Sequence, residues 1–276
     1  MNRAHGVDLS HWDGSFDPAK ASGRIGFAIM KVSEGLVKDP AFAAIWSGVE
    51  KVTVRGAYHY LRSGWDWKQQ ADKFWNIVQD YPFNLYALDF EGIGNVMDAK
   101  FANMAHLWMD YIQEKAAGRP VLLYTNPTHY DADLSPYGDW MKDYPLWIAQ
   151  YWTTNVGPTR EPALPKKRKA GDWHIYQYAS EINYAGHGQE YGTGSKSVDL
   201  NVFNGTVADM RTWLRLQEPA AEPPAITLFE LIQNQNEAPI RLDELRRMAA
   251  YIENRKVQLA EGAEDAGTPR PAPSAT

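Results

Sequence analysis

Eight short apolar or alternating runs punctuate the first 216 residues, at 6–10, 27–33, 54–62, 85–92, 120–126, 146–151, 173–179 and 198–203. Each has the length and the β-branched or aromatic content of a strand. Between several of them the apolar spacing switches to the helical period. Trp67, Ala71, Phe74 and Val78 make one amphipathic face. Phe101, Met104, Ala105, Trp108, Tyr111 and Ile112 make another, with Asp98 as its N-cap and Gly118 and Pro120 just past its end. Further helices are predicted over 40–51 and, briefly, over 138–143. Alternating strands and helices argue for parallel strands with helical crossovers, and eight strands can close into a barrel. Helices grow scarce after the fifth strand, and 152–172 has the composition of a long irregular loop. The predicted fold is therefore α/β: an irregular TIM-like (β/α) barrel of eight strands with a reduced number of outer helices, plus a small helical C-terminal segment.

After Leu216 the character changes. Residues 217–225, rich in Pro, Ala and Glu, have the make-up of a stiff linker. Leu242, Leu245, Ala249 and Ile252 then recur at heptad-like spacing within a helical segment predicted over 226–260. A lone helix of that length is marginal in water, so 226–258 is expected to dock or self-associate. Residues 261–276 are expected to be a disordered tail. The formal charge of −6 is spread along the chain, unlike the concentrated basic face of a nucleic-acid binder. The basic run Lys166-Lys167-Arg168-Lys169 is more simply a solvated loop than a contact for an anionic polymer. No apolar stretch reaches the roughly 20 residues needed to span a bilayer, so stable membrane insertion is not expected. Without cysteine there are no disulfides, thiolate zinc sites or cysteine nucleophiles.

The fourth run, Leu85-Tyr86-Ala87-Leu88-Asp89-Phe90-Glu91-Gly92, ends in two carboxylates. Side chains on a strand alternate with period two, so Asp89 and Glu91 are predicted to share a face. Burying two acids together is costly without a purpose. Glycoside hydrolysis supplies one, since it needs a protonated carboxyl and a second that supports positive charge on the sugar. An Asp-x-Glu at a strand end is nevertheless common, and alone it is a weak motif. Aromatic residues reach 13%, with 11 Trp and 15 Tyr. Many must be core, but rings at strand ends also offer faces on which sugars stack.

Several further motifs fall in order along the chain: Gly6-Val7-Asp8-Leu9-Ser10, Phe27-Ala28-Ile29-Met30-Lys31-Val32-Ser33-Glu34-Gly35, Gly56-Ala57-Tyr58-His59-Tyr60, Leu123-Tyr124-Thr125-Asn126, Leu146-Trp147-Ile148-Ala149-Gln150-Tyr151, Trp173-His174-Ile175-Tyr176-Gln177-Tyr178 and Val198-Asp199-Leu200-Asn201-Val202-Phe203. Together with Asp89 and Glu91, they make residues 6–216 resemble the family 25 glycoside hydrolases, the N,O-diacetylmuramidase class of lysozymes. The resemblance implies a flattened eight-stranded barrel that cleaves the β-1,4 bond from N-acetylmuramic acid to N-acetylglucosamine in peptidoglycan glycan strands, without metal or cofactor. It makes Glu91 the general acid and Asp89 the acid that orients or stabilises the reacting sugar. Asp8 and Asp199 match two further acids on the first and last strands. Attack on the anomeric carbon by the substrate's 2-acetamido oxygen, by water or by Asp89 all stay open. With no apolar signal core ahead of the first strand, the resemblance further implies a phage lysin in the host cytoplasm before release, or a virion-associated enzyme. The competing reading is a non-catalytic peptidoglycan-binding or particle module on the same barrel.

Other residues have bland alternatives. Tyr58 and Tyr60 share a face of the third strand and are candidates for substrate contact, Tyr60 the more so. For Tyr124 and Trp147, stacking on a sugar and plugging the barrel are equally good readings. Lys31 is more simply an ion-pair partner than a substrate contact. His5, His11 and His59 lack metal-ligand spacing, and Asp13 and Asp17 have the setting of turn acids. Trp12 and Trp65, beside turns after strands, are candidate cleft walls.

Overall fold

The computed structural model describes residues 3–153 and 157–216. All belong to the first of two units, Met1–Gln217. The linker, helical segment and tail expected over 217–276 lie outside the described residues.

The eight predicted runs are all strands. They are β1 (His5–Leu9), β2 (Phe27–Glu34), β4 (Val54–Tyr60), β5 (Leu85–Asp89), β6 (Val121–Thr125), β7 (Leu146–Ala149), β8 (Ile175–Ala179) and β9 (Asp199–Phe203); β3 (Val37–Lys38) is a two-residue strand folded back on β2. The sheet runs β1-β9-β8-β7-β6-β5-β4-β2, and β1 pairs with β2 to close the barrel. Three substantial helices lie among the first six strands: α1 (Phe42–Val49), α2 (Trp67–Val78) and α3 (Ala99–Lys115). The helical segment after β6 breaks into short pieces, beginning with α4 (Pro127–His129), and no regular element is formed by the described residues between β7 and β8. The barrel is lopsided, as the spacing predicted.

Asp98 caps α3 by accepting the Phe101 N–H at 2.8 Å, and Asp66 caps α2 from Gln69 at 2.9 Å. These helices cover β4 and β5 through Phe74, Trp108 and Tyr86, with the buried His59 stacked on Trp108. His59 is hydrogen-bonded to Ser33 and Gln70 at 2.9 and 3.2 Å, and burial lowers its pKa to about 4. It is a core residue. A second apolar cluster fills the barrel interior, including Phe27, Ile29, Val54, Leu85, Leu122 and Ile175.

One strand departs from the expected pattern. β9 pairs antiparallel with both β8 and β1, whereas every other barrel pairing is parallel. The connection from β8 stays on the rim where β8 ends, so β9 runs back down the barrel. Its C-terminal end leads to α5 (Val207–Trp213), whose Met210 joins the interior cluster along with Leu214. The basic run also departs from a plain solvated loop. Arg168 is buried, donating from Nε to the Tyr130 hydroxyl at 3.0 Å and from Nη2 to the Tyr144 carbonyl at 3.0 Å.

Candidate active site

The alternation at the end of β5 sorts its side chains in two directions. Leu88 and Phe90 pack outward into the core beneath the helices, Phe90 stacked on Phe101 with ring centres 4.8 Å apart. Asp89 and Glu91 turn to the barrel mouth. Asp89 sits on the last residue of the strand, level with Tyr60 of β4 and Tyr124 of β6. Asp8 and Asp199 face each other across the β1–β9 pairing. Because β9 is antiparallel, its first residue lies on the same rim as the last residues of β1 and β5. The four acids predicted from the sequence are therefore brought together.

Two amides that sequence reasoning passed over hold them in place. Gln177 on β8 donates from Nε2 to Asp8 Oδ2 at 2.7 Å and to Asp199 Oδ2 at 3.3 Å. Its Oε1 accepts the hydroxyls of Tyr124, at 2.8 Å, and of Tyr151. Asn201 on β9 donates to the same Asp8 oxygen at 2.7 Å and accepts the Trp147 indole N–H at 2.8 Å. The available signal was polarity on the inward face: Gln177 interrupts Ile175 and Ala179, and Asn201 follows Asp199 by one period. Tyr151 carried no comparable signal.

Each predicted aromatic now has a place. Tyr58 is buried inside the barrel, edge-on to Trp147 with ring centres 6.1 Å apart. Trp147 is only 1% exposed and also meets Tyr124 edge-on, so of its two readings the barrel plug is the one realised. Tyr124 is buried but keeps its hydroxyl at the acids. Tyr60 is open at the rim and donates to the Ile93 carbonyl at 2.8 Å. Lys31 is paired with Glu34, which also holds Arg62 Nε at 3.0 Å. Asp13 accepts the Ser10 N–H at 2.8 Å within a reciprocal cap, as a turn acid does. Trp12 and Trp65 stand exposed on the rim, at 80% and 52%.

Burial and crowding set the electrostatics. Burial pushes Asp8 up to about 6 despite its two amide donors, and raises Asp89 and Asp199 well above the usual carboxylate range, reinforced by the neighbouring acids. Glu91 is raised by burial too, against the opposing pull of the Tyr124 hydroxyl, His129 and Lys31. His129 reaches this position because Gly92 has no side chain: a Cβ there would lie 2.9 Å from the imidazole Cε1. Its Nδ1 is held by Asp133 at 2.7 Å.

These acids should cost stability as pH rises. An unfolded Asp titrates near 3.9, so below that value Asp8 is protonated in both states and its burial carries no ionisation penalty. As pH climbs through about 6, the folded protein must ionise a buried group, at a cost of up to about 3 kcal/mol. Asp8→Asn should therefore raise Tm by several degrees at pH 8 and by little at pH 4, measured by thermal unfolding. Equal shifts at both pH values would contradict this account.

Carboxyls of raised proton affinity, gathered where a barrel's C-terminal rim meets solvent, meet the requirement of acid-assisted glycoside cleavage; the class is that of the barrel glycosidases. The chain belongs to glycosyl hydrolases family 25, whose model matches residues 7–187, and it is accordingly a glycoside hydrolase. It is similar to the uncharacterized protein YegX of Escherichia coli K12, with 28% identity over 225 residues covering 76% of this chain and 73% of that protein. It is also similar to an autolytic lysozyme of Clostridium acetobutylicum, with 31% identity over 152 residues covering 53% of this chain and 44% of the relative. Its fold matches a family 25 glycosyl hydrolase from Bacillus anthracis with a TM-score of 0.60 and 23% identity, covering 77% of this chain and 94% of the other.

Proposed function

We propose that this glycoside hydrolase is a peptidoglycan hydrolase of the muramidase type, cleaving the β-1,4 bond from N-acetylmuramic acid to N-acetylglucosamine. The observation that carries the reading is the meeting of Asp8, Asp89, Glu91 and Asp199 at one mouth, with proton affinities raised by burial. A long polymer also suits the surface around them. Nine large apolar side chains are exposed among the described residues, and seven follow closely on strand ends at the rim that bears the acids. They are Trp12 after β1, Val37 after β2, Trp65 after β4, Ile93 and Val96 after β5, and Ile182 and Tyr184 after β8. Apolar patches rimmed by polar groups mark binding surfaces.

In this reading Glu91, the more open member of the β5 pair, gives its proton to the glycosidic oxygen. Asp89 is ionised as positive charge develops on the sugar, because that charge lowers the proton affinity of the deeper carboxyl. Asp89 Oδ1 is buried without a hydrogen-bond partner among the described residues. The N–H of a 2-acetamido group would satisfy it, which aims the acetamido oxygen at the anomeric carbon and favours the substrate-assisted route. Asp8 and Asp199, tied through Gln177, shape and charge the opposite wall.

Digestion of purified peptidoglycan followed by mass analysis of the fragments tests the reading. New reducing ends on N-acetylmuramic acid are expected. Reducing N-acetylglucosamine would make the enzyme a glucosaminidase, and anhydro-muramic ends a lytic transglycosylase. The pH–rate profile should be bell-shaped. Its alkaline limb should fall at a pH above the ordinary Glu value of about 4.3, because burial holds the proton on the pair and activity is lost as pH rises through that raised pKa. Full activity up to pH 9 would count against a protonated Glu91.

A further inference from the structure

On the same rim, beside the acids, a hollow of about 370 Å³ opens between the β2–β3 turn and the loop after β4. Glu34, Tyr60 and Asp89 lie level on β2, β4 and β5, which puts Glu34, on the wall of the hollow, two strand spacings, about 10 Å, from Asp89. Tyr60, on the strand between, has Lys31 Nζ 5.1 Å and the Arg62 guanidinium 5.2 Å from its ring centre.

The charges lining this hollow are unequal. Lys31, Lys38 and Arg62 face two carboxylates, Glu34 and Asp39. Both carboxylates are already engaged. Glu34 bridges Lys31 and Arg62, while Asp39 accepts the backbone N–H and Nδ1 of His11 at 3.2 and 3.0 Å and the Ala41 N–H at 2.9 Å. Lys38 has no carboxylate partner among the described residues, and its ammonium lies 4.0 Å over the Phe42 ring. The wall is rigid. Buried Gln70 accepts the Arg62 N–H at 2.9 Å and donates to the carbonyls of Arg62 and Trp65 at 2.9 and 3.2 Å. The half-exposed Trp65 ring rests on Gly35, where φ is +54° and a Cβ would lie 3.2 Å from the indole.

We propose that this hollow binds a carboxylate of the side arm on the muramic sugars, so that the enzyme reads the substituent as well as the glycan backbone. This rests on the muramidase reading. The hollow offers an anion the Lys38 ammonium and the remaining donors of Lys31 and Arg62, with the Trp65 ring as an apolar wall. The carboxylate could come from the lactyl group itself or from the stem peptide attached to it.

The test measures binding of three disaccharide probes to the full chain by tryptophan fluorescence, which needs no turnover. One carries a stem peptide on its lactyl group, one a free lactyl carboxylate, and one is chitobiose, which has no acid. At least one acidic probe should bind about tenfold or more tightly than chitobiose, the effect of one charge-assisted contact. Lys38→Glu should abolish the preference and Lys38→Arg should keep it. A gain already complete with the free lactyl probe identifies that carboxylate, and a gain confined to the stem-bearing probe identifies the peptide. No preference in the native chain, or one unchanged by Lys38→Glu, overturns the proposal even if peptidoglycan is cleaved. A Lys38-dependent preference in a chain that cleaves no peptidoglycan would sustain the carboxylate site and overturn the muramidase reading instead.

Discussion

Replacing Glu91 by glutamine should lower kcat on peptidoglycan by about 10²–10⁴-fold, the usual contribution of a positioned general acid. The amide keeps the shape of the side chain while removing the proton to be transferred. Folding and glycan affinity should stay near native, because Glu91 lies past the end of β5 and belongs to neither apolar cluster. Release of reducing ends, compared with retention on insoluble wall material, separates the two effects. A loss under tenfold would remove Glu91 from the role of acid.

Asp89→Asn should be nearly as damaging, by about 10²–10³-fold, and the loss should fall on kcat rather than KM. Asp89 is buried and its Oδ1 has no partner among the described residues. In the proposed mechanism that carboxylate meets a charge that exists only during reaction. An amide supports that charge poorly and turns a donor towards a position built to accept. Asp8→Asn and Asp199→Asn should be intermediate, since both share the Gln177 amide and the wall they form keeps one carboxylate when the other is replaced. Wild-type turnover by Asp89→Asn, measured on the same substrate, would refute the paired-carboxylate mechanism.

Not every residue was equally legible beforehand. Period-two alternation put Asp89 and Glu91 on one face, and the packing of Leu88 and Phe90 on the other face bears that out. The same rule placed Tyr58 and Tyr60 together, but it could not tell that one is sealed inside the barrel while the other meets solvent. Trp147 had two equal readings because a ring at a strand end is a plug or a platform according to what lies above it. Its neighbours Tyr58, Tyr124 and Asn201 come from three other strands. Gln177 and Asn201 were missed for a related reason: a buried amide acquires a role only from the groups it bridges.

What the sequence determined by itself was local. Hydrophobic period located eight strands and the principal helices, Asp98 marked the start of α3, and the scarcity of helical spacing after β6 announced a lopsided barrel. Strand direction was decided only in three dimensions. Asp199 stands at the beginning of β9 and Asp89 at the end of β5. Had β9 run parallel like its neighbours, these acids would lie at opposite ends of the barrel. The antiparallel return brings them to one mouth, and likewise the cationic hollow exists only because loops distant in sequence meet beside Tyr60. The physical reason is that period and capping depend on residues three or four apart. Pairing direction, and the raised proton affinities that follow from it, depend on contacts such as that between Asp8 and Gln177, 169 residues away along the chain.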